Sequence, residues 1–215
     1  SLIMRYWIFP AVVVLAGAAW AEFTLDDNGS ALTVNENGQP VLAYHYGMVS
    51  PPKGVDPDYA RSCYIHPLYG LDGEVMTQDF PVDHRHHRGV FWAWPGATIG
   101  GEPADIWLVK SGIKQYLEEW TRKEVAGGNV EIGVKNVWRY KDAAGEPQVR
   151  ETVLFTVHPA QDNRRAIDFD LTFTNLTQKL IVISGAETDN KGYGGFCFRP
   201  DAERKPFTFT APNGV

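Results

Sequence analysis

Three of the six histidines fall within four residues, in Asp79-Phe80-Pro81-Val82-Asp83-His84-Arg85-His86-His87-Arg88-Gly89. Imidazole titrates closer to neutrality than any other ordinary side chain, so this density points to acid–base chemistry or to metal ligation. In the first reading an imidazole exchanges a proton, Asp79 or Asp83 adjusts its pKa, and Arg85 or Arg88 holds an anionic or hydroxylated substrate. In the second, His84 and His86 with a third ligand hold a divalent cation of the Zn²⁺ type, with one position open for water or substrate. A third reading is purely structural, a loop in which Asp83 and the arginines pair with one another. On an extended backbone His84 and His86 project to one face, Arg85 and His87 to the other. Without help from a turn, at most two imidazoles are therefore expected to converge, and a third group must come from His66, Asp79, Asp83 or the polar cluster Glu187, Asp189 and Asn190.

Aromatic side chains crowd the same part of the sequence: Tyr64, Tyr69, Phe80, Phe91, Trp92, Trp94 and Trp107. Their π faces stack on the C–H faces of sugar rings, while His, Asp and Arg bond to hydroxyls. The expected site is a sugar-sized pocket. Its catalytic candidates are His66, His84, His86, His87 and Asp79, and its binding candidates are Arg85, Arg88, Trp92, Trp94, Tyr69 and Glu187. The competing reading places the aromatics, Phe91 and Trp92 above all, in the core. Gly192-Tyr193-Gly194-Gly195 follows no strand-to-helix transition and is not read as a phosphate loop. Neither a Gly-x-Ser-x-Gly elbow nor a His-Glu-x-x-His helix occurs.

The elements that must position these groups are strands. Val130 to Trp138 alternates apolar and polar residues before shifting phase, Asp142 to Pro147 supplies a turn, and Val149 to Val157 and Ala166 to Thr174 follow as strands. Leu180 to Ile183 extends the meander. Phe23 to Leu25, Ala31 to Val34 and Val41 to Tyr46 are short strands separated by Asp27-Asn28-Gly29 and Asn37-Gly38, which are hairpin-turn sequences. Ile113 to Trp120 carries apolar residues at both helical and strand spacing, and its strand neighbours favour strand. The expectation is one all-β domain, an antiparallel sandwich. Gly47 to Tyr59, Pro67 to Arg88 and Pro95 to Pro103 are irregular connections, of the length that usually serves function. Phe207 to Thr210 reads as a strand without a partner after it, so the domain is expected to continue past Val215.

The first 21 residues read as an export signal: Arg5, an apolar run from Ile8 to Leu15, and the cleavage-type ending Ala19-Trp20-Ala21. Tyr6 to Ala21 is 16 residues, short of the roughly 20 that span a bilayer. A periplasmic or secreted protein without a stable membrane span is expected, comprising residues 22–215. Twenty basic against twenty-six acidic residues give a formal charge of −6, which disfavours nucleic acid as a partner. A small molecule or oligosaccharide is the expected ligand. In an oxidising compartment Cys63 and Cys197 have the option of pairing, with two buried free thiols as the alternative.

The stretches Tyr64-Ile65-His66-Pro67-Leu68-Tyr69, Gly73 to Pro81 and Asp83 to Trp94 resemble a bacterial family labelled "methane oxygenase PmoA". That resemblance implies a bacterial β-sandwich protein, usually longer than this chain. More distantly, the order of strand, His-bearing loop, long meander, Thr174-Asn175 and Leu180 to Ile183 is similar to the galactose mutarotase-like supersandwich. Enzymes of that fold use a His as general acid and a late-strand Glu as general base on a sugar ring. Carried over, the His is His66, His84, His86 or His87, and the Glu is Glu187 or lies beyond Val215. Epimerase-like or lyase-like proton transfer is the activity this implies, with a metal-dependent hydrolase or a noncatalytic glycan-recognition module as alternatives.

Overall fold

A computed structural model describes residues 21–186, 192–204 and 208–210. The proposed signal segment, apart from Ala21, and the cluster Glu187, Asp189 and Asn190 lie outside the described residues.

The chain is an antiparallel β-sandwich. One sheet has the order β1 (Phe23–Asp27), β2 (Ala31–Glu36), β3 (Gln39–His45), β4 (Tyr64–Leu68), β5 (Val90–Ala93) and β13 (Gly195–Phe198). The opposing sheet is a meander of four long strands, β8 (Ile113–Ala126), β9 (Asn129–Tyr140), β10 (Pro147–Val157) and β11 (Ile167–Asn175). A small third sheet joins β6 (Thr98–Ile99), β7 (Glu102–Pro103) and β12 (Ile181–Val182). Among the described residues no helix is long and apolar enough to cross a membrane.

The period-two reading holds in the meander. Ile132, Val134, Val153 and Phe155 are buried from the meander and meet Leu32, Val34, Leu42, Tyr44, Ile65 and Trp92 from the facing sheet. Ile113 to Trp120 is strand rather than helix. It pairs with β9 along its length, with register shifts near Leu117 and Trp120, so ladder hydrogen bonds outweigh an accidental helical spacing. Asn37 and Gly38 adopt φ of 51° and 77° in the β2–β3 hairpin, as a tight turn requires.

Two expectations need correction. The strand at Leu180 to Ile183 does not continue the meander: Ile181 and Val182 pair with Ile99 and Thr98 in the third sheet. Residues 208–210 carry no strand, and Phe207 lies outside the described residues. Of the two readings open for the cysteines, the unpaired one holds: Cys63 and Cys197 are free thiols. Cys63 sits in the core between the two large sheets, whereas Cys197 packs against a second core on the other face of β5, so the sheet itself separates them.

That second core explains the uninterrupted apolar run Val90 to Trp94. Both faces of β5 are covered, Trp92 facing the meander while Phe91 and Ala93 meet Ile99, Ala104, Ile106 and Trp107.

Between the sheets lies one fully buried carboxyl, Glu151. Trp138 Nε1 (2.5 Å) and Gln115 Nε2 (2.7 Å) donate to its Oε1, and Asn136 Nδ2 approaches Oε2 at 3.4 Å. Burial pushes its pKa above the ordinary 4.5 despite these donors. A carboxyl raised in the folded state supports folding below its unfolded pKa, and this support is lost as pH rises through the folded value. Glu151→Gln, accommodated by a flip of the Asn136 amide, is therefore expected to gain stability relative to wild type as pH is raised from 4 to 8 in urea denaturation. Glu151→Ala, which strands the three donors beside a void, is expected to cost about 3–5 kcal/mol at neutral pH. A constant difference between Glu151→Gln and wild type across that range would contradict the buried, pKa-raised carboxyl.

Candidate functional site

The segment from Asp79 to Arg88 is folded around one guanidinium. Arg88 is fully buried, and its Nη1 donates to the carbonyls of Arg85 (2.9 Å) and His87 (2.8 Å) while its Nη2 donates to the carbonyl of Tyr59. Its cationic carbon lies 3.4 Å from the Phe80 ring centroid, and its Nε is 3.4 Å from Asp79 Oδ1. Tyr64 in turn donates to Asp79 Oδ2 at 3.0 Å. Phe80 pays for the reversal with φ of +46°, and two successive turns follow, closed by His84 N to Pro81 O (3.1 Å) and His87 N to His84 O (2.9 Å). Gly89 ends the loop where a Cβ would lie 2.2 Å from the Ile65 carbonyl oxygen, a contact only glycine permits.

These turns overrule the extended-chain geometry. All three imidazoles meet: ring centroids are 4.7 Å apart for His84 and His87, 4.5 Å for His86 and His87, and 5.7 Å for His84 and His86. They line one cavity of about 410 Å³ together with Pro95, Trp107, Leu108 and Tyr193, within the size range of small-molecule sites. The indole of Trp107 and the ring of Tyr193 stand 5.2 Å apart at 31°.

Among the described residues, the remaining sequence-based candidates lie elsewhere. His66 bonds to Thr77 Oγ1 at 3.0 Å and belongs to the packing of β4. Asp79 and Arg88 hold the loop to the sheet, and Arg85 donates to the Phe80 carbonyl at 2.7 Å. Trp92 is fully buried in the inter-sheet core; Trp94 packs on Trp138 and Phe173. Tyr69 sits beyond β4 in a bridge with Val75. Residue type marked these side chains as able to recognise a ligand, but packing uses them for the scaffold. Trp107 was already among the crowding aromatics. Leu108, Pro95, Tyr193 and Arg199 carried no local motif, since the fold brings them in from outside the loop.

The electrostatics favour neutral rings. Burial, then the charge of the neighbouring imidazoles and arginines, lowers His86 to about 3 and His87 to about 4. Both therefore enter neutral solution uncharged, able to accept or donate one hydrogen bond at each nitrogen but unsuited to act as general acids there. His84 Nδ1 is 2.9 Å from Asp83 Oδ2. Asp83 is held well below the usual carboxylate range, first by His84 and then by Arg199, whose Nη2 reaches both carboxylate oxygens at 2.8 and 3.0 Å. Behind the wall, Arg61 lies buried with its Nη2 3.4 Å from the Trp107 carbonyl oxygen, and burial draws its pKa down to about 9.

A metal centre does not fit this arrangement. His84 and His87 lie nearly parallel, at 13°, with His86 edge-on, so their lone pairs do not aim at a common point. Among the described residues no three His, Cys, Asp or Glu side chains are placed to hold an ion. A larger concavity of about 490 Å³, beside β6, β7 and Tyr140, is lined by exposed Glu102, Lys141 and Lys179 without such a cluster.

A family model matches residues 31–215, which include the whole loop and cavity. The chain belongs to DUF6807, a family of unknown function. No curated protein and no solved structure matches it. For this DUF6807 chain the chemistry of the cavity is therefore the guide to function.

The lowered imidazole pKa values fix a pH dependence. His86 and His87 titrate near the ordinary 6.5 when unfolded and at about 3 and 4 when folded. Such groups stabilise the fold above pH 6.5, and that support is lost as pH falls toward the folded values. His86→Asn, which cannot charge, is expected to gain stability relative to wild type as pH drops from 7 to 4, read as urea midpoints. A parallel loss in both proteins would contradict the neutral cluster.

Proposed function

We propose that this chain is an exported carbohydrate-binding protein whose ligand sits in the cavity of His84, His86, His87, Trp107 and Tyr193. The carrying observation is the composition of that wall: two neighbouring aromatic rings beside imidazoles that stay uncharged at neutral pH. Aromatic faces take the C–H side of a sugar ring, and neutral imidazoles exchange hydrogen bonds with hydroxyls without the desolvation cost of a charge. A wall of this kind suits a neutral hydroxylated ring better than a flat apolar ligand. The supersandwich resemblance and the signal-like first 21 residues support the same reading, a periplasmic or secreted glycan-handling protein.

Binding comes before turnover in this account. Among the described residues, no carboxylate lines the cavity. Asp105, the acidic side chain adjoining Trp107, accepts the backbone N–H groups of Trp107 (2.8 Å) and Leu108 (2.9 Å). His84 is the imidazole of the cluster backed by a carboxylate, Asp83, at 2.9 Å. An epimerase-like or lyase-like step would start there.

Tyr193 is 42% exposed, so its loss removes ligand contact without opening the core. Against a panel of neutral mono- and oligosaccharides followed by intrinsic tryptophan fluorescence, at least one sugar is expected to bind wild type. Tyr193→Ala is expected to weaken that sugar by up to about tenfold, the order of one aromatic contact, with an unchanged melting temperature. His84→Ala/His86→Ala is expected to abolish binding. A panel without any response, or full affinity in the double variant, would contradict the proposal.

A further inference from the structure

The cavity has a polarity that its residue types alone do not reveal. His84 and His87 are stacked, and each sends its Nδ1 to one member of the same ion pair: His84 to Asp83 Oδ2 at 2.9 Å, His87 to Arg199 Nη1 at 3.4 Å. Asp83 and Arg199 close the circuit with contacts of 2.8 and 3.0 Å. The two partners have opposite hydrogen-bonding character. An ionised carboxylate only accepts, so His84 Nδ1 carries a proton and donates; a guanidinium only donates, so His87 Nδ1 is bare and accepts. In neutral rings this leaves His84 Nε2 bare and His87 Nε2 protonated. Because the rings are nearly parallel and both Nδ1 atoms face one ion pair, both Nε2 atoms lie on the side away from it.

We infer that His84 and His87 are locked in opposite tautomers and present an acceptor and a donor, one ring spacing apart, to two hydroxyls of a single polyhydroxylated ligand. One ligand hydroxyl donates to His84 Nε2, and a second accepts from His87 Nε2–H. This deepens the carbohydrate reading and rests on it for the ligand, though not for the tautomers. It names the recognised unit as a hydroxyl pair rather than a single polar group. Asp83 and Arg199 are positioning residues, which touch no ligand and act by fixing where each ring holds its proton. Burial and the neighbouring His84 lower the titration of His87 first, and the Arg199 guanidinium at Nδ1 adds to this by opposing a second proton on that ring.

The sequence hides this device because Arg199 lies 112 residues from His87 and follows β13. The backbone secures it: Arg199 N donates to the Gly89 carbonyl (2.8 Å), and Gln78 N donates to the Arg199 carbonyl (3.1 Å). The end of β13 thus grips both legs of the histidine loop.

The test is two-bond ¹H–¹⁵N correlation NMR of the histidine rings in the ligand-free full chain, followed over a pH series and read from the neutral forms. Bare and protonated ring nitrogens resonate far apart, so each tautomer is read directly. The expected result is Nδ1–H for His84 and Nε2–H for His87. Asp83→Ala is expected to release His84 into a tautomer mixture with His87 unchanged, and Arg199→Met to do the converse. Both replacements are at residues outside the core, and a retained melting temperature shows that the fold persists. The same tautomer in both rings, or no response to either substitution, overturns the inference whatever the protein binds. With the tautomers as expected, the sugar found by the fluorescence panel is titrated into Asp83→Ala, and a loss of a few-fold to about tenfold is expected, the net worth of one hydrogen bond. An unchanged affinity overturns the hydroxyl-pair role. Opposite tautomers together with a silent sugar panel overturn the carbohydrate reading and, with it, the hydroxyl-pair ligand, while leaving the tautomer assignment standing.

Discussion

A guanidinium sealed in a protein is costly unless donors and charge are answered, and the Arg88 side chain has most of them answered at once. Three carbonyls, the Asp79 carboxylate and the Phe80 ring enclose it. Two of those carbonyls belong to Arg85 and His87 themselves, so satisfying the cation requires the backbone to curl around it. The curl is what converts a linear run of histidines into a converged cluster. Without it the rings would alternate along a strand and the cavity would lose most of its polar wall.

From this anchor the rest of the site follows in layers. The β4–β5 pair supplies a rigid floor, made so by cores on both of its faces. The segment from Ala104 to Val109 packs Trp107 against Phe91, His86 and His87, and β13 delivers Arg199 to the rim. Burial and crowding then keep His86 and His87 uncharged, and the Asp83–Arg199 pair gives the outer rings a direction. The function proposed here depends on that neutrality. A protonated cluster beside Arg61, Arg88 and Arg199 would select anions instead.

Much of the scaffold was legible in the sequence, because alternation in Ile132, Val134, Val153 and Phe155 reports directly which face is dry. The Asn37-Gly38 turn and the histidine density were equally plain. What could not be read was how the loop folds: the rule that placed His87 opposite His84 holds for extended backbone, and Phe80 at positive φ with two turns is not extended. Residue type likewise left Arg88, Trp92 and Trp94 open between scaffold and site, since a guanidinium or an indole serves a core as readily as a ligand. Tyr193 and Arg199 could not be assigned at all, because only the β5–β13 pairing brings them to the loop.

The Arg88 fan of hydrogen bonds, not its charge, gathers the imidazoles. Arg88→Lys keeps the charge and discards the fan, so histidine titration followed by NMR in this variant separates the two. His86 and His87 are expected to rise from about 3 and 4 toward the ordinary 6.5 as the cluster opens, with the strand amide resonances of the sandwich retained. Titration curves for both rings that match wild type, in a folded variant, would contradict it.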